Sequence, residues 1–190
     1  MTVVAVVLAA GAGSRFTASG GEGHKLLVEL GGRTVLDRVL DSVLDAGLAD
    51  VLLVEGALDL GAHVRPGVTR VRNERWADGI ATSVQTALRW AAEAGHDAVV
   101  VGLADQPTVA TASWTAIAAA PTEPPIAVAT YDGRRGNPVR LATAVWPLLP
   151  VAGDEGARAL MRRRPDLVRE VPCTGQAWDV DTVEDLERWS

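Results

Sequence analysis

A short apolar run that leads directly into a glycine-rich segment sets the fold class of this chain. Residues 3–8 are a continuous stretch rich in β-branched side chains, and Gly11-Ala12-Gly13 follows almost at once. An uninterrupted run of this length predicts a strand that is covered on both faces, as in a parallel sheet. It is too short to span a membrane and has neither the charged start nor the cleavage site of a secretory signal. We therefore expect an α/β fold that begins with a buried strand.

Further strand patterns follow along the chain. Apolar runs predict strands at residues 51–54, 68–71, 98–103, 126–130 and 168–171. Residues 132–137, rich in glycine and arginine, are interpreted as a polar loop.

Helical patterns alternate with these strands. Apolar spacing predicts helices over residues 35–44 and 111–120, and two more are expected behind the capping residues Asp78 and Asp154. A last helix is expected from Thr182, because an acidic residue stands at capping-box distance from it. No internal repeat or long linker interrupts the alternation, so it predicts one domain over residues 1–190 with a mainly parallel sheet.

The composition excludes several classes of protein. The formal net charge is −6 and the basic side chains form no concentrated block, which argues against a nucleic-acid partner. Arg162, Arg163 and Arg164 are adjacent, but three charges at a helix end are typical of a solvated terminus. The single cysteine, Cys173, cannot form an internal disulfide. Together with the missing signal peptide, it predicts a cytoplasmic protein with no membrane partner.

The glycines after the first strand suit a loop that brings backbone N–H groups close to phosphate oxygens. They suit a tight structural turn equally well. A dinucleotide fingerprint would need a small residue where Phe16 stands and an acidic residue well before Glu55, so an NAD-dependent oxidoreductase is disfavoured. The P-loop pattern also fails, because Lys25 lies between His24 and Leu26 and not between glycine and serine or threonine.

Lys25 is the only lysine among the 18 lysine and arginine residues of the chain. Lysine is a compact, mobile point charge that can follow a phosphate through a reaction, whereas arginine is a planar fork. A retained surface lysine is the alternative, but its place after the glycines favours a cationic pair with Arg15. The three histidines, His24, His63 and His96, show no ligand spacing and are expected on the surface or in loops.

Three aspartates follow predicted strands, where ligands gather at the carboxyl edge of a parallel sheet. Asp105 comes directly after residues 98–103, and Asp179 and Asp181 share one side if their segment is extended. Such carboxylates suit Mg²⁺, which takes one or two of them together with substrate phosphates and water. Capping of the last helix is an equal alternative for Asp181.

Several motifs occur in a fixed order over nearly the whole chain. They are Leu8-Ala-Ala-Gly11-Ala-Gly-Ser-Arg15 with Lys25, Asn73-x-x-Trp76-x-x-Gly79-x-x-x-Ser83, Leu103-Ala-Asp105-Gln-Pro107, Gly133-Arg-Arg-Gly136-Asn-Pro138, Gly153-Asp-Glu-Gly156-Ala-Arg158 and Asp179-Val-Asp181-Thr-Val-Glu-Asp185-Leu. In this order they resemble the sugar-nucleotide-type nucleotidyltransferases of the NTP transferase family. The branch that they resemble most attaches a nucleotide to molybdopterin: the molybdenum cofactor cytidylyltransferases and guanylyltransferases.

The resemblance implies a Rossmann-like three-layer α/β/α sandwich, like that of the nucleotide-diphospho-sugar transferases, which binds a nucleoside triphosphate with Mg²⁺. It implies that Lys25 and Arg15 are catalytic and offset charge on the triphosphate, and that Asp105, Asp179 and Asp181 hold the metal. The nucleotide would contact Leu8, Ala9, Ala10, Gly11, Ala12, Gly13, Ser14, Asn73, Gly79 and Ser83.

The second, phosphate-bearing substrate would face Arg134, Arg135 and Asn137. The implied reaction is an in-line attack by the phosphate of that substrate on the α-phosphorus, with loss of pyrophosphate. CTP is favoured because Ala10 gives the form Leu-Ala-Ala-Gly, where the guanylyltransferases usually have Leu-Ala-Gly-Gly.

These inferences leave one primary hypothesis and its alternatives. The primary hypothesis is CMP transfer from CTP to molybdopterin-type cofactor, with a recipient molybdoenzyme or chaperone as a further partner. Within the same class, the alternatives are transfer from GTP or transfer to another phosphorylated acceptor, such as a sugar phosphate. From a different class, the chain could be a nucleotide-binding or cofactor-delivery module without catalysis.

Overall fold

The first apolar run forms a strand at the centre of a seven-stranded sheet in the computed structural model, which describes residues 1–188. This strand, β1 (Val3–Ala9), is buried on both faces. Ala5 and Val7 face one core, and Val4 and Val6 face the other, all four with no exposed surface. The alternation follows from the two-residue period of a strand, so one continuous apolar run serves two cores.

The strands that follow are β2 (Glu29–Leu30), β3 (Arg33–Thr34), β4 (Asp50–Glu55), β5 (Val68–Arg72), β6 (Ala98–Leu103), β7 (Ile126–Tyr131), β8 (Arg134–Ala142) and β9 (Val168–Pro172). The main sheet has the order β5-β4-β1-β6-β8-β7-β9, and β2 pairs with β3 in a separate hairpin. Strands β5, β4, β1 and β6 are parallel, as are β7 and β9, whereas β8 runs antiparallel to both of its neighbours. The prediction of a mainly parallel sheet is confirmed.

Helices cover both faces of this sheet. They are α1 (Ser14–Ala18), α2 (Val35–Leu44), α3 (Ile80–Glu93), α4 (Thr111–Ala119), α5 (Ala157–Arg163) and α6 (Val183–Glu187). Apolar residues of α2 and α4 belong to one core, and those of α3 and α5 belong to the other. The predicted three-layer α/β/α class is confirmed. Within residues 1–188, no helix combines the length and the apolar composition that crossing a membrane requires. The predicted domain extends to residue 190, two residues outside the described part.

The polar loop expected at residues 132–137 is wrong. Asp132 and Gly133 alone form the turn, with φ of 50° and 75°, and Arg134 already begins β8. Two successive positive φ values are typical of a two-residue hairpin turn. The first residues of β8, Arg134 to Gly136, pair only with β7. They are polar, and no second strand pairs with them. Without an apolar run, the sequence pattern does not reveal that β8 begins here.

Two of the three predicted helix caps are also wrong. Gly79 and Gly156, not Asp78 and Asp154, precede α3 and α5, and neither helix has a side-chain cap. The carboxylate of Asp78 instead pairs with Arg75. The third prediction is confirmed, because α6 begins with a capping box between Thr182 and Asp185.

Candidate functional site

The glycine loop between β1 and α1 lines a cavity of about 630 Å³ at the carboxyl edge of the sheet. We call it the first cavity. Of the residues that sequence reasoning placed here, it is lined by Leu8, Ala9, Ala10, Gly11, Ala12, Gly13, Ser14, Arg15, Lys25, Gly79 and Ser83. Gly13 has φ 67°, a left-handed conformation that suits glycine and lets the chain turn from the strand into α1.

Lys25 lies between two aspartates at the base of this cavity. Its Nζ donates to Asp105 Oδ2 at 2.6 Å and to Asp181 Oδ1 at 2.8 Å, and only 12% of its side chain is exposed. Burial alone would lower the pKa of Lys25, but the charges and hydrogen bonds of Asp105 and Asp181 outweigh burial and raise it. The ammonium therefore stays protonated and holds together the segment after β6 and the segment before α6, which are far apart in sequence.

Arg15 completes the cationic pair that the sequence predicted. Its guanidinium donates to the second oxygen of Asp181, Oδ2, at 2.6 Å. The Arg15 side chain is 77% exposed, so this ion pair is screened by water and contributes little to stability. Asp181 thus binds one buried and one exposed cation.

The three predicted metal ligands share one edge of the sheet but do not form a ready-made site. Within residues 1–188, no set of three or more histidine, cysteine, aspartate or glutamate side chains is arranged to hold a metal ion. The reason is visible in the contacts: Lys25 occupies the space between Asp105 and Asp181, and Asp179 accepts a hydrogen bond from Gln106 at 2.7 Å.

Two of these carboxylates nevertheless fit a divalent cation that arrives with a nucleotide. Asp105 Oδ1 is buried and has no hydrogen-bond partner. Mg²⁺ takes one or two carboxylates and fills the rest of its shell with phosphate oxygens and water. Asp105 could supply one such carboxylate, and Asp181 could supply a second if one of its oxygens exchanged Lys25 or Arg15 for the metal.

Asp179 lies in an environment that disfavours its negative charge. Its partial removal from water, followed by the negative charge of Asp105, raises the pKa of Asp179 above its ordinary value. Gln106 opposes this rise by donating to its Oδ1, and Asn137 Nδ2 donates in turn to Gln106 Oε1 at 3.1 Å. The predicted residues Asp179 and Asn137 are therefore linked through Gln106, which sequence reasoning did not select although it follows Asp105 directly.

A second cavity, of about 510 Å³, lies beside the first against the face of the sheet that α3 and α5 cover. Its floor is apolar and consists of Leu8, Ile80, Val84, Val101, Leu103, Val128, Val139, Leu141 and Met161. Arginines stand around its mouth, namely Arg15, Arg135, Arg158 and Arg162. Three of them pair with carboxylates, and Arg158 has no carboxylate partner in the described part of the chain.

The two cavities meet along one wall. Both are lined by Leu8, Arg15, Ile80, Leu103, Asp105, Asp154 and Asp181. This shared wall holds the ion-paired aspartates, so a ligand in either cavity lies next to the same charged groups.

Some predicted residues lie elsewhere. Asn73 does not line the first cavity: it is 3% exposed, and its amide donates to Thr82 and Ser83 at 2.8 and 2.9 Å. That amide orders the first turn of α3, so it contributes to the pocket wall only through Ser83. Arg134 lines neither cavity, and Arg135 reaches the second one while donating to Glu170 at 2.7 Å.

His24 is a residue of the site that sequence reasoning assigned to a surface or loop position. It lines the first cavity and contacts both the glycine loop and the turn that carries Lys25. Its position directly before the only lysine was the one available signal.

Comparison with known proteins extends over both halves of this site. Residues 5–168 match a family model described as the MobA-like NTP transferase domain. The chain is 30% identical over 200 residues to the nicotine blue oxidoreductase of Paenarthrobacter nicotinovorans. This match covers 98% of this chain and 95% of that protein.

Solved structures with the same fold support this comparison. Rv0371c from Mycobacterium tuberculosis H37Rv has a TM-score of 0.81 at 30% identity, over 99% of this chain and 97% of that chain. A complex of Rv0371c with manganese has a TM-score of 0.79 at 28% identity, over 100% and 98% of the two chains. The family model spans the glycine loop, Lys25 and Asp105, whereas Asp179 and Asp181 lie beyond residue 168 and only the whole-chain matches extend over them.

Proposed function

The chain belongs to the MobA-like NTP transferase family, and from this premise we propose that it transfers CMP from CTP to a molybdopterin-type molybdenum cofactor and releases pyrophosphate, with Mg²⁺ as the metal. Membership of this family supports the general reaction, which is nucleotidyl transfer. The choice of CTP, of Mg²⁺ and of the molybdopterin acceptor is our proposal, and the arguments for it follow from the two cavities.

The observation that carries the proposal is the wall that the two cavities share. A transfer reaction needs two substrates whose reacting atoms meet, and both cavities open onto Asp105, Asp181 and Arg15. A binding module would need only one cavity. The shared charged wall therefore favours catalysis over simple delivery.

The chain's own groups suit phosphoryl chemistry. An oxygen of the acceptor phosphate forms a bond to the α-phosphorus while the bond to the bridging oxygen breaks, and pyrophosphate leaves with that electron pair. Lys25 and Arg15 would offset the charge that develops on the triphosphate, and the glycine loop would offer its N–H groups. Asp105 and Asp181 would hold the divalent cation, which supplies further positive charge when it is bound.

The lining of the second cavity supports a flat heterocyclic acceptor with an anionic group. Its apolar floor offers a ring system a surface to pack against, and its remaining lining residues, such as Asn137 and Arg158, offer polar partners. Arg158, exposed at the mouth and without a carboxylate partner in residues 1–188, is available for a phosphate. A molybdopterin-type cofactor meets both requirements.

The test is pyrophosphate release by the purified protein with CTP or GTP and each acceptor class. We expect pyrophosphate release with CTP and molybdenum cofactor at a rate at least about tenfold above that with GTP. A tenfold difference in rate corresponds to only about 1.4 kcal/mol of activation free energy. A higher rate with GTP would replace CTP, and a higher rate with a sugar phosphate would replace the acceptor. Triphosphate binding without turnover in any combination would leave only a binding or delivery module.

Oxidoreduction is the second candidate, because a relative 30% identical is named nicotine blue oxidoreductase. The described chain offers little for a dinucleotide: α1 has five residues, and Phe16, where the fingerprint needs a small residue, is 2% exposed. Following the absorbance of NADH and NADPH with quinone-like dyes as electron acceptors tests it. Nicotinamide oxidation that Asp105→Asn leaves intact would favour this candidate.

A further inference from the structure

His24 connects the glycine loop to the turn of Lys25 through both nitrogens of its ring. Nδ1 accepts a hydrogen bond from the backbone N–H of Leu26 at 3.3 Å, and Nε2 lies 3.0 Å from the carbonyl oxygen of Gly11. Because Nδ1 accepts, the neutral ring carries its proton on Nε2 and donates it to Gly11. One neutral tautomer thus satisfies both contacts.

The contact at Nδ1 fixes the backbone of Lys25. His24 is the N-terminal cap of the short 3-10 turn Lys25–Leu27, and its ring accepts one of the N–H groups at the start of that turn. The other end of Lys25 is fixed by Asp105 and Asp181. The lysine is therefore held at its backbone and at its ammonium group.

The contact at Nε2 fixes the glycine loop. A peptide unit is planar and trans, so holding the Gly11 carbonyl toward His24 directs the N–H of Ala12 away from the ring. The imidazole also packs against Gly13, where a Cβ would lie 3.4 Å from Nε2. The same ring therefore sets the orientation of the loop that lines the first cavity.

We propose that His24 is a positioning residue that sets the distance between the triphosphate-binding loop and Lys25. This inference rests on the proposed function, because it gives His24 a part in nucleotidyl transfer without contact with the reacting atoms. The two ring nitrogens have separable parts: Nε2 shapes the loop that binds substrate, and Nδ1 orients the lysine that stabilises the transition state.

Two variants separate these parts. In His24→Asn, the shorter side chain still accepts from the turn, as capping asparagines do, but falls short of Gly11. In His24→Ala, both contacts are lost. We expect His24→Asn to raise KM for the triphosphate with kcat near that of the native protein, and His24→Ala to raise KM and lower kcat at least about tenfold, because small misplacements of catalytic groups are costly.

His63→Ala is the matched control, since His63 is exposed in another 3-10 turn and lines neither cavity. It should leave both constants unchanged. A purely structural role would lower the melting temperature of both His24 variants without separating kcat from KM. His24→Ala with native constants, or His24→Asn indistinguishable from His24→Ala, would overturn the inference.

Two measurements remain informative if the protein turns out to transfer no nucleotide. Nitrogen-15 NMR of the labelled histidines should show His24 as the neutral tautomer with its proton on Nε2, and calorimetry should show weaker triphosphate binding by His24→Ala than by the native protein. The opposite tautomer, or unchanged affinity, refutes the positioning part of His24. Absence of turnover in the native protein, with both results as expected, refutes only the proposed function.

Discussion

Lys25 Nζ and Asp105 Oδ2 are 2.6 Å apart although 80 residues separate them in the sequence. Asp181 lies on the other side of the same ammonium, so one buried cation joins the ends of three segments. A buried group paired in this way is costly to remove, because its partners are left without compensation.

Replacing Lys25 should abolish most of the catalytic rate. We expect Lys25→Ala to lower turnover at least about tenfold, equivalent to roughly 1.4 kcal/mol of transition-state stabilisation. Lys25→Arg should be poorly active as well, because a planar guanidinium cannot place one nitrogen between two carboxylates as an ammonium does. Pyrophosphate release measures both. Native rates in both variants, with folding intact, would contradict the assignment of Lys25.

The same lysine should oppose metal binding in the absence of nucleotide. Its ammonium competes for carboxylate oxygens that a divalent cation would use, so Lys25→Met should bind Mn²⁺ at least about tenfold more tightly than the native protein. Lys25→Arg keeps the positive charge and is the control. Electron paramagnetic resonance titration of free Mn²⁺ gives the affinities, and equal or weaker binding by Lys25→Met would show that the lysine and the metal do not compete.

Gly79 should tolerate no side chain. Its φ is 101°, and a Cβ would lie 2.4 Å from the backbone carbon of Gly153. Gly20→Ala is the matched control, since Gly20 has φ 95° and open space around it. We expect Gly79→Ala to lower the free energy of unfolding by about 2 kcal/mol more than the control, because a steric clash adds to the backbone strain. Urea unfolding decides this, and equal losses would mean that the Gly153 segment moves freely.

The capping box of α6 should give the protein an acid-sensitive contribution to stability. Burial works against the ionised form of Asp185, but hydrogen bonds from Asp181 and Thr182 outweigh burial and lower the pKa of Asp185. A carboxyl group whose pKa is lowered by folding stabilises the protein at pH values above its ordinary, unfolded-state pKa. This stabilisation is lost as the pH falls through the folded-state pKa.

Asp185→Ala should therefore cost about 1 kcal/mol near neutral pH and much less at acid pH, once the native carboxylate is itself protonated. Thermal unfolding across this range tests it. Glu184→Ala removes the same charge from the same turn without touching the capping box, and it should show no such convergence. A cost of Asp185→Ala that stays constant down to acid pH would refute the argument.

The apolar pattern predicted most of the sheet. Strands such as β1 and β6 are apolar on both faces because two cores cover them, and this leaves an unambiguous run in the sequence. The first half of β8 could not be found in this way, since Arg134 to Gly136 pair on one side only and remain polar. The expected cap at Asp78 failed because Gly79 precedes α3 and lies against the backbone of Gly153, a contact that the local sequence does not contain.

The site was predicted in its charged residues but not in its connections. Lys25 was singled out by composition and Asp105 by its place after a strand, and the structure brings them together. The contacts of His24 and Gln106 depend on which atoms their side chains reach across the fold. The spacing of residues along the sequence does not contain this information. Asn73 shows the converse, because its motif suggested a ligand contact and its buried amide orders α3.

The ion pairs of Lys25 also determine how the protein reacts with reagents that modify amines. Apart from the α-amino group of Met1, Lys25 carries the only primary amine in the chain. The ion pairs with Asp105 and Asp181 keep that amine protonated and therefore poorly nucleophilic. Among amines, an acylating reagent would thus modify the candidate site at Lys25 only, and its rate of reaction there would follow the breaking of those ion pairs.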